Sequence, residues 1–233
     1  MIEDGKRFGE ITDFISDSEC DAVREQVIEL KDKWRAIYPS DHLFGPVKGL
    51  LVKLAEAGLG FYHLGDAVYI MKCDRKTAQD VDQEVKAELM SRFGWLFNRI
   101  CAVVAAQTGV PTELHGITSP GFHISTVPFD INGAAALHED FSITLFEPDV
   151  DPESIVSLIV LIDEPSIGAW LEWEHPVTKE LKRYDYKFGS LHAWRGGLRH
   201  RVGSYETKVG EHRITLQCHY YFDKDKGCNR IYF

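Results

Sequence analysis

The chain has 233 residues, of which 44% are hydrophobic, and a formal net charge of −10. This length and composition suffice for one sizeable hydrophobic core, so we expect a single domain over residues 1–233. An acidic surface repels a phosphate backbone, which argues against nucleic acid as a partner.

The number of cysteines and the length of the apolar runs indicate the cellular compartment. The five cysteines are an odd number, widely spaced and without a CxxC pair, so neither a disulfide framework nor a zinc knuckle is expected. The first residues lack a basic segment followed by an apolar one, and no run reaches the length of about 18 apolar residues that spans a bilayer. We therefore expect a cytoplasmic protein with no membrane partner.

The N-terminal region begins with a helix signal. Ser16 to Glu19 read S-x-x-E, a capping box in which two side chains satisfy backbone N–H groups at the start of a helix. Apolar residues then recur at spacings of three and four as far as Ile37. The pattern predicts a helix that ends before Pro39.

A strand and a second helix are predicted next. Residues 61–73 are rich in aromatic and β-branched side chains, which is typical of a strand. The apolar periodicity from about Thr77 to Gln107 predicts a long helix that stops at Gly109. We therefore expect a helical support region over residues 1–110.

The remaining region, residues 111–233, consists of short apolar or alternating runs separated by Gly, Pro, Asp and Asn. This pattern predicts many strands in a β-barrel or sandwich, and hence an α+β, mainly β, fold class. The predicted strands are Gly121–Val127, Ala136–Phe146, Ser157–Ile162, Ala169–Glu174, Ser190–Trp194, Arg199–Val202 and Arg213–Phe222.

One of these predicted strands carries two candidate metal ligands. Because strand side chains alternate between faces, His138 and Asp140 point the same way. His200, in a later predicted strand, completes a set of two imidazoles and one carboxylate. This facial set leaves positions open on a bound iron.

A candidate anion clamp follows thirteen residues after His200. Arg213 and Thr215 share a face of the last predicted strand. A guanidinium fork beside a hydroxyl suits bidentate binding of a carboxylate.

With these residues in this order, residues 120–222 resemble the Fe(II)/2-oxoglutarate-dependent oxygenases. The resemblance implies a double-stranded β-helix, or jelly roll, flanked by the N-terminal helices. It implies that the His-Asp-His set binds Fe(II) and that Arg213 and Thr215 grip the far carboxylate of 2-oxoglutarate. The expected activity uses O2 to hydroxylate or desaturate an unactivated C–H bond of a small molecule, such as an amino acid or a natural-product intermediate.

Two further stretches, Pro120–Ile124 and Leu64–Tyr69, resemble a branch of that superfamily that contains small-molecule hydroxylases and radical halogenases. In the halogenases a Gly or Ala replaces the metal-binding carboxylate, whereas this chain keeps Asp140. The resemblance therefore favours hydroxylation or desaturation over chlorination.

The other histidines leave alternatives open. His192 is the alternative third metal ligand, because its predicted strand also faces inward. His123 either hydrogen-bonds 2-oxoglutarate or the substrate, or it is a core histidine. We interpret His212 and His219 as structural residues.

Other functions also remain open at this point. The main alternative is a cupin-like jelly roll that binds a metal without turning over 2-oxoglutarate. A second is an oxygenase of protein or nucleic-acid substrates, for which no basic groove is evident. Arg195, Arg199 and Arg201 either attract an anionic substrate or lie on a solvated edge strand.

Overall fold

Two helices and twelve strands make up the described part of the chain. The helices are α1, Asp17–Glu29, and α2, Gln83–Thr108. The strands are β1 Phe8–Ile11, β2 Arg35–Ala36, β3 Phe61–Leu64, β4 Thr112–Leu114, β5 Gly121–Ser125, β6 Val156–Asp163, β7 Trp170–Glu174, β8 Leu181–Asp185, β9 Leu191–Arg195, β10 His200–Val202, β11 Arg213–Asp223 and β12 Cys228–Tyr232. The structure, a computed structural model, describes residues 7–36, 59–66, 83–116, 118–126, 137–168 and 170–233.

The described strands form two sheets. The large sheet has nine strands in the order β1-β9-β6-β11-β5-β3-β2, with β12 also beside β11 and β4 beside β12. The small sheet has the order β10-β7-β8. Neighbouring strands are antiparallel except for β12 and β4. This arrangement confirms the predicted fold class, a mainly β jelly roll flanked by N-terminal helices.

Strand β11 lies at the centre of the large sheet, and its two faces lie in different environments. Its side chains alternate between the two faces of the sheet. Ile214 and Leu216 lie in the main hydrophobic core together with residues of both helices. Arg213, Thr215 and His219 are also buried, but on the face opposite that core. The helices therefore cover one face, and a polar inner face is left towards the small sheet.

Helix α1 is shorter than its apolar spacing predicts. The predicted capping box is present at its start. However, the helix ends at Glu29 and is followed by a 3-10 turn, Lys31–Lys33, so the predicted extension towards Pro39 is wrong. The reason is Trp34, whose indole Nε1 donates a hydrogen bond to the carbonyl of Val27 at 3.0 Å. This side chain satisfies a carbonyl near the helix end.

The predicted strand that contains His138 is also wrong within the described residues. His138 forms only an isolated bridge with His200, and Ser142–Leu145 is a 3-10 helix. The hydroxyl of Thr144 donates to the carbonyl of Phe141 at 2.7 Å, and the Thr144 N–H bonds the same carbonyl at 3.0 Å. Local bonds of this kind compete with pairing to a neighbouring strand.

The other predicted elements are present with small shifts at their ends. Six of the seven strands predicted after residue 110 are found within one or two residues of the predicted bounds. Of the predicted strand over residues 61–73, the described part contains β3, and residues 67–73 lie outside it. The described part of the second helix begins at Gln83, and residues 77–82 lie outside it. No sequence pattern predicted β1, β2, β4, β8 and β12, which are short or carry many polar residues.

Strands from the N-terminal region extend the large sheet at both ends. β1 pairs with β9, and β2 pairs with β3, which in turn pairs with β5. Four cysteines, Cys20, Cys101, Cys218 and Cys228, are free thiols, and Cys73 lies outside the described residues. In the described part of the chain, neither helix combines the length and apolar character needed to cross a bilayer.

We expect Gly121→Ala to destabilise the fold. A Cβ atom at Gly121 would overlap the ring of Phe233 and lie 2.8 Å from the carbonyl oxygen of Leu64. Overpacking of this kind lowers the free energy of unfolding by roughly 1–3 kcal/mol, which urea denaturation would measure. Gly116→Ala is the matched control, because no atom of the described residues lies within 4 Å of its added methyl group. Equal urea midpoints for the two variants would contradict the prediction.

Candidate metal centre

The three predicted metal ligands meet in the structure. The ligand atoms of His138, Asp140 and His200 all lie within 4.8 Å of one another. The Nε2 atom of His138 is 3.8 Å from Oδ1 of Asp140, and the Nε2 atom of His200 is 3.4 Å from Oδ2. Two imidazoles and one carboxylate at this spacing can hold one ion and leave other coordination positions open.

Backbone hydrogen bonds hold the ligands in place without a regular strand at His138. The N–H groups of His138 and His200 each bond the other residue's carbonyl, at 2.9 and 3.0 Å. The N–H of Asp140 bonds the carbonyl of Gly196 at 2.9 Å, in the turn between β9 and β10. The segment is therefore fastened to β10 and to the turn before it, which brings His138 and Asp140 to the same side.

The centre is buried on one side and open on the other. The side chains of Asp140 and His200 are 8% and 4% exposed, whereas that of His138 is 50% exposed. The imidazole rings of His138 and His200 are 4.5 Å apart between centroids. Within the described residues, the cluster is therefore exposed on the side of His138.

A hydrogen-bond network supports the Asp140 carboxylate from behind. The hydroxyl of Ser157 on β6 donates to Oδ2 of Asp140 at 2.5 Å. Nδ1 of His219 lies 3.1 Å from the Ser157 hydroxyl and 3.7 Å from the same carboxylate oxygen. Ser157 and His219 are cross-strand partners. No sequence pattern indicated Ser157, and the predicted role of His219 was structural.

Asp140 is held in its ionised form. Burial raises the pKa of this carboxyl group, but the nearby imidazoles of His200, His219 and His138 and the hydroxyl of Ser157 lower it by more. The net effect is a pKa below the usual range. A carboxylate is the form that binds a metal ion.

His200 has the tautomer that a metal ligand needs. Its Nδ1 atom is 2.8 Å from the carbonyl oxygen of Leu198. Since a carbonyl oxygen can only accept, Nδ1 carries the proton, and burial lowers the pKa of His200, so the ring is neutral. The lone pair of Nε2 is therefore directed to the side of Asp140. A backbone carbonyl that orients a ligating histidine in this way is typical of metal sites.

The predicted carboxylate clamp lies on the same inner face. Arg213 is 7% exposed, and its Nε atom has no hydrogen-bond partner. The buried hydroxyl of Thr215 also has none. The Arg213 guanidinium lies over the ring of Tyr205 at 5.4 Å, and none of the described carboxylates forms an ion pair with it. A buried charge without a counter-ion is costly, so these two residues fit a bound carboxylate.

His123 lies beside this clamp. It is the cross-strand partner of Thr215 on one side and of His63 on the other. Burial, with smaller effects from His63 and Arg213, lowers the pKa of His123 to about 3. The structure therefore places a neutral imidazole next to Thr215, which is compatible with the predicted contact with 2-oxoglutarate or substrate.

His192, the alternative third ligand, is occupied by other contacts. Its Nδ1 atom is 3.0 Å from the hydroxyl of Tyr184, and its Nε2 atom is 3.0 Å from the backbone N–H of Lys187. Both ring nitrogens are thus used inside the protein. His200 and not His192 joins the cluster. His212 lies 4.0 Å from Asp163, apart from the cluster.

The basic stretch around β10 is neutralised by neighbouring glutamates. Arg199 pairs with Glu174 at 3.1 Å, and Arg201 pairs with Glu172 at 2.7 Å. Both glutamates lie on β7, the neighbour of β10 in the small sheet. The two arginines therefore form ion pairs on the surface of the small sheet, and their charges are neutralised there.

Comparisons with known proteins find similarity at the level of structure. No family model matches the chain, and no curated protein matches its sequence. A prolyl hydroxylase of Trichoplax adhaerens, solved with a hypoxia inducible factor oxygen degradation domain peptide fragment, is similar at 14% identity and a TM-score of 0.47, over 94% of this chain and 84% of that one. A Pseudomonas putida prolyl-4-hydroxylase is similar at 11% identity and a TM-score of 0.43, over 92% and 91%.

A structure of the prolyl 4-hydroxylases from Phytophthora capsici is similar at 14% identity and a TM-score of 0.45, over 92% of this chain and 58% of that one. A fold does not determine a function. The residues of the site therefore carry the functional conclusion.

We expect Ser157→Ala to weaken metal binding. The change removes the hydroxyl that orients the Asp140 carboxylate, and loss of such a supporting contact typically lowers metal affinity by about 10- to 100-fold. Anaerobic competition with a chromophoric chelator would measure the Fe(II) affinity. Ser154→Ala is the control, because the hydroxyl of Ser154 bonds only the carbonyl of Asp151 at the surface. Equal Fe(II) affinity in both variants would show that Ser157 does not support the ligand.

Proposed function

We propose that the protein is an Fe(II)- and 2-oxoglutarate-dependent oxygenase that hydroxylates or desaturates an unactivated C–H bond of a small molecule. The observation that carries the proposal is the buried guanidinium of Arg213. It lacks a carboxylate partner among the described residues. It also lies on the same face of β11 as His219, whose ring is close to the Asp140 carboxylate. A site of this kind needs an anionic ligand beside the metal.

Each part of the site has a role in this proposal. His138, Asp140 and His200 hold Fe(II), which when bound supplies the activation of O2 and of the cosubstrate. Arg213 binds the far carboxylate of 2-oxoglutarate through charge-assisted hydrogen bonds, and the Thr215 hydroxyl adds one more.

The affinity for 2-oxoglutarate should depend strongly on Arg213. Leaving one member of a buried ion pair without its partner costs about 3–5 kcal/mol. Binding of a dicarboxylate gives the Arg213 guanidinium its counter-ion and gives Thr215 a hydrogen-bond partner. Much of the cosubstrate affinity should therefore come from this clamp.

The walls of the inner face favour a small polar substrate. His63 is 3% exposed, and its Nδ1 atom is 2.7 Å from the carbonyl oxygen of Gly65, so Nδ1 carries the proton. Burial lowers the pKa of His63 and keeps the ring neutral. Its Nε2 atom is then an acceptor for an O–H or N–H group of a substrate, as in an amino acid or a natural-product intermediate. His123 contacts either this substrate or 2-oxoglutarate.

Hydroxylation or desaturation is favoured over chlorination. The position that a halide would take on the metal holds a carboxylate here, and the Asp140 carboxylate is fixed by Ser157 and by its own backbone bond to Gly196. An acidic surface and the pairing of Arg199 and Arg201 with glutamates argue against nucleic acid as the substrate.

The alternative function is a cupin-like jelly roll that binds a metal without 2-oxoglutarate. Such a protein would share the His-Asp-His cluster but would not use a carboxylate clamp. Replacing Arg213 would then leave both metal binding and ligand binding unchanged. The two functions therefore differ in whether Arg213→Ala changes ligand binding.

The test is an anaerobic titration of the Fe(II)-loaded protein with 2-oxoglutarate, followed by the visible metal-to-ligand charge-transfer band. We expect the wild type to develop the band and Arg213→Ala to bind 2-oxoglutarate about 100-fold or more weakly, at unchanged Fe(II) affinity. Arg230→Ala is the matched control, because this buried arginine is already paired with Glu113 at 2.9 Å. It should bind 2-oxoglutarate as the wild type does.

One result would contradict the oxygenase proposal. If well-folded, iron-bound wild type shows no band and releases no succinate from 2-oxoglutarate, the oxygenase proposal is wrong. The metal-binding jelly roll would then be the better description.

A further inference from the structure

His219 on β11 belongs to a row of residues that crosses the inner face of the large sheet. Its cross-strand partner on β6 is Ser157, and its partner on β12 is Tyr232. Ser157 pairs in turn with Trp194 on β9. All four residues are buried, and the carboxylate of Asp140 lies against the two central ones, Ser157 and His219. The row therefore places a histidine beside the residue that supports a candidate metal ligand.

The hydrogen bonds in this row have one direction. The Asp140 carboxylate can only accept, so the single proton of the Ser157 hydroxyl is donated to Oδ2 of Asp140. Ser157 must then accept the bond of 3.1 Å from His219, which requires a proton on Nδ1 of that histidine. The chain of hydrogen bonds therefore runs from His219 through Ser157 to Asp140.

The outer members of the row do not compete with this chain of hydrogen bonds. The Nε1 atom of Trp194 and the hydroxyl of Tyr232 are buried and have no hydrogen-bond partner in the described part of the protein. Among the described residues, the Ser157 hydroxyl bonds only Asp140 and His219. The Nδ1–H group of His219 is therefore the one described donor that holds the Ser157 hydroxyl in its direction towards Asp140.

From these contacts we propose that His219 is a positioning residue for the metal ion and acts on Asp140 through the Ser157 hydroxyl. The inference rests on the proposed function, because Fe(II) is the ion that Asp140 binds there. Removal of a group that orients a ligating side chain typically lowers metal affinity about 10- to 100-fold. Since β11 also carries Arg213, one strand holds both the carboxylate clamp and the support of the metal ligand.

The test measures Fe(II) affinity by anaerobic chelator competition in two variants of His219. Asn keeps a donor, because its amide nitrogen is joined to Cβ through the same bonds as Nδ1 of histidine, whereas Leu has none. We expect His219→Leu to bind Fe(II) about 10-fold or more weakly and His219→Asn to bind it nearly as tightly as the wild type. If the Leu variant does not fold, His219→Phe, which keeps a ring, takes its place.

His212→Leu is the matched control, because it makes the same change just before the same strand. His212 lies apart from the metal cluster, 4.0 Å from Asp163. This variant should bind Fe(II) as the wild type does.

A double-mutant cycle separates this positioning role from a general structural one. If His219 acts through Ser157, adding His219→Leu to Ser157→Ala causes no further loss of Fe(II) affinity, because the hydroxyl that transmits its effect is already absent. Losses that add in the double variant overturn the inference, since His219 would then act on Asp140 or on the fold directly.

The other outcomes separate this inference from the proposed function. Wild-type Fe(II) affinity in His219→Leu overturns the inference and leaves the proposed function intact. Equal losses in His219→Leu and His219→Asn also overturn it, because the imidazole would then matter for its packing and not for its donor. A wild type that binds Fe(II) but not 2-oxoglutarate overturns the proposed function alone, and one that does not bind Fe(II) overturns both.

Discussion

The alternation of side chains along β11 is the constraint on which both the core and the site depend. One set of alternate residues, including Ile214 and Leu216, packs against the helices, and the other set, including Arg213 and Thr215, faces the small sheet. A slip of one residue would exchange the two sets and bury a guanidinium in the core. Pairing with β5 and β12 on one side and β6 on the other fixes the register.

The electrostatics of the inner face are consistent with a protein that is complete only with a ligand. The histidines His63, His123 and His200 are neutral because burial lowers the pKa of each. Asp140 keeps its charge because imidazoles and a hydroxyl surround it. Arg213 alone keeps a buried charge without a carboxylate among the described residues. A protein carboxylate at that place would stabilise the fold but would exclude the ligand carboxylate that the proposed function requires.

The sequence predicted the residues of the site better than the structure around them. The cluster of His138, Asp140 and His200 confirms the predicted metal-ligand set, although the predicted strand at His138 is wrong. Instead of strand pairing, backbone hydrogen bonds to β10 and to the turn before it hold His138 and Asp140 on the same side. No sequence pattern indicated Ser157, because its role arises from pairing across strands. Such contacts leave no periodic pattern in the sequence.

The relative position of the two sheets sets the distance from the metal centre to the clamp. The clamp lies on the large sheet and His200 on the small one, and the chain passes between them in the turn after β9. Gly196 in that turn accepts the backbone bond from Asp140, and a Cβ atom there would lie 2.8 Å from Ile155. A side chain at this position would collide with Ile155 and disturb the turn whose carbonyl bonds Asp140. The His-Asp-His cluster therefore lies where the chain passes from the large sheet to the small one.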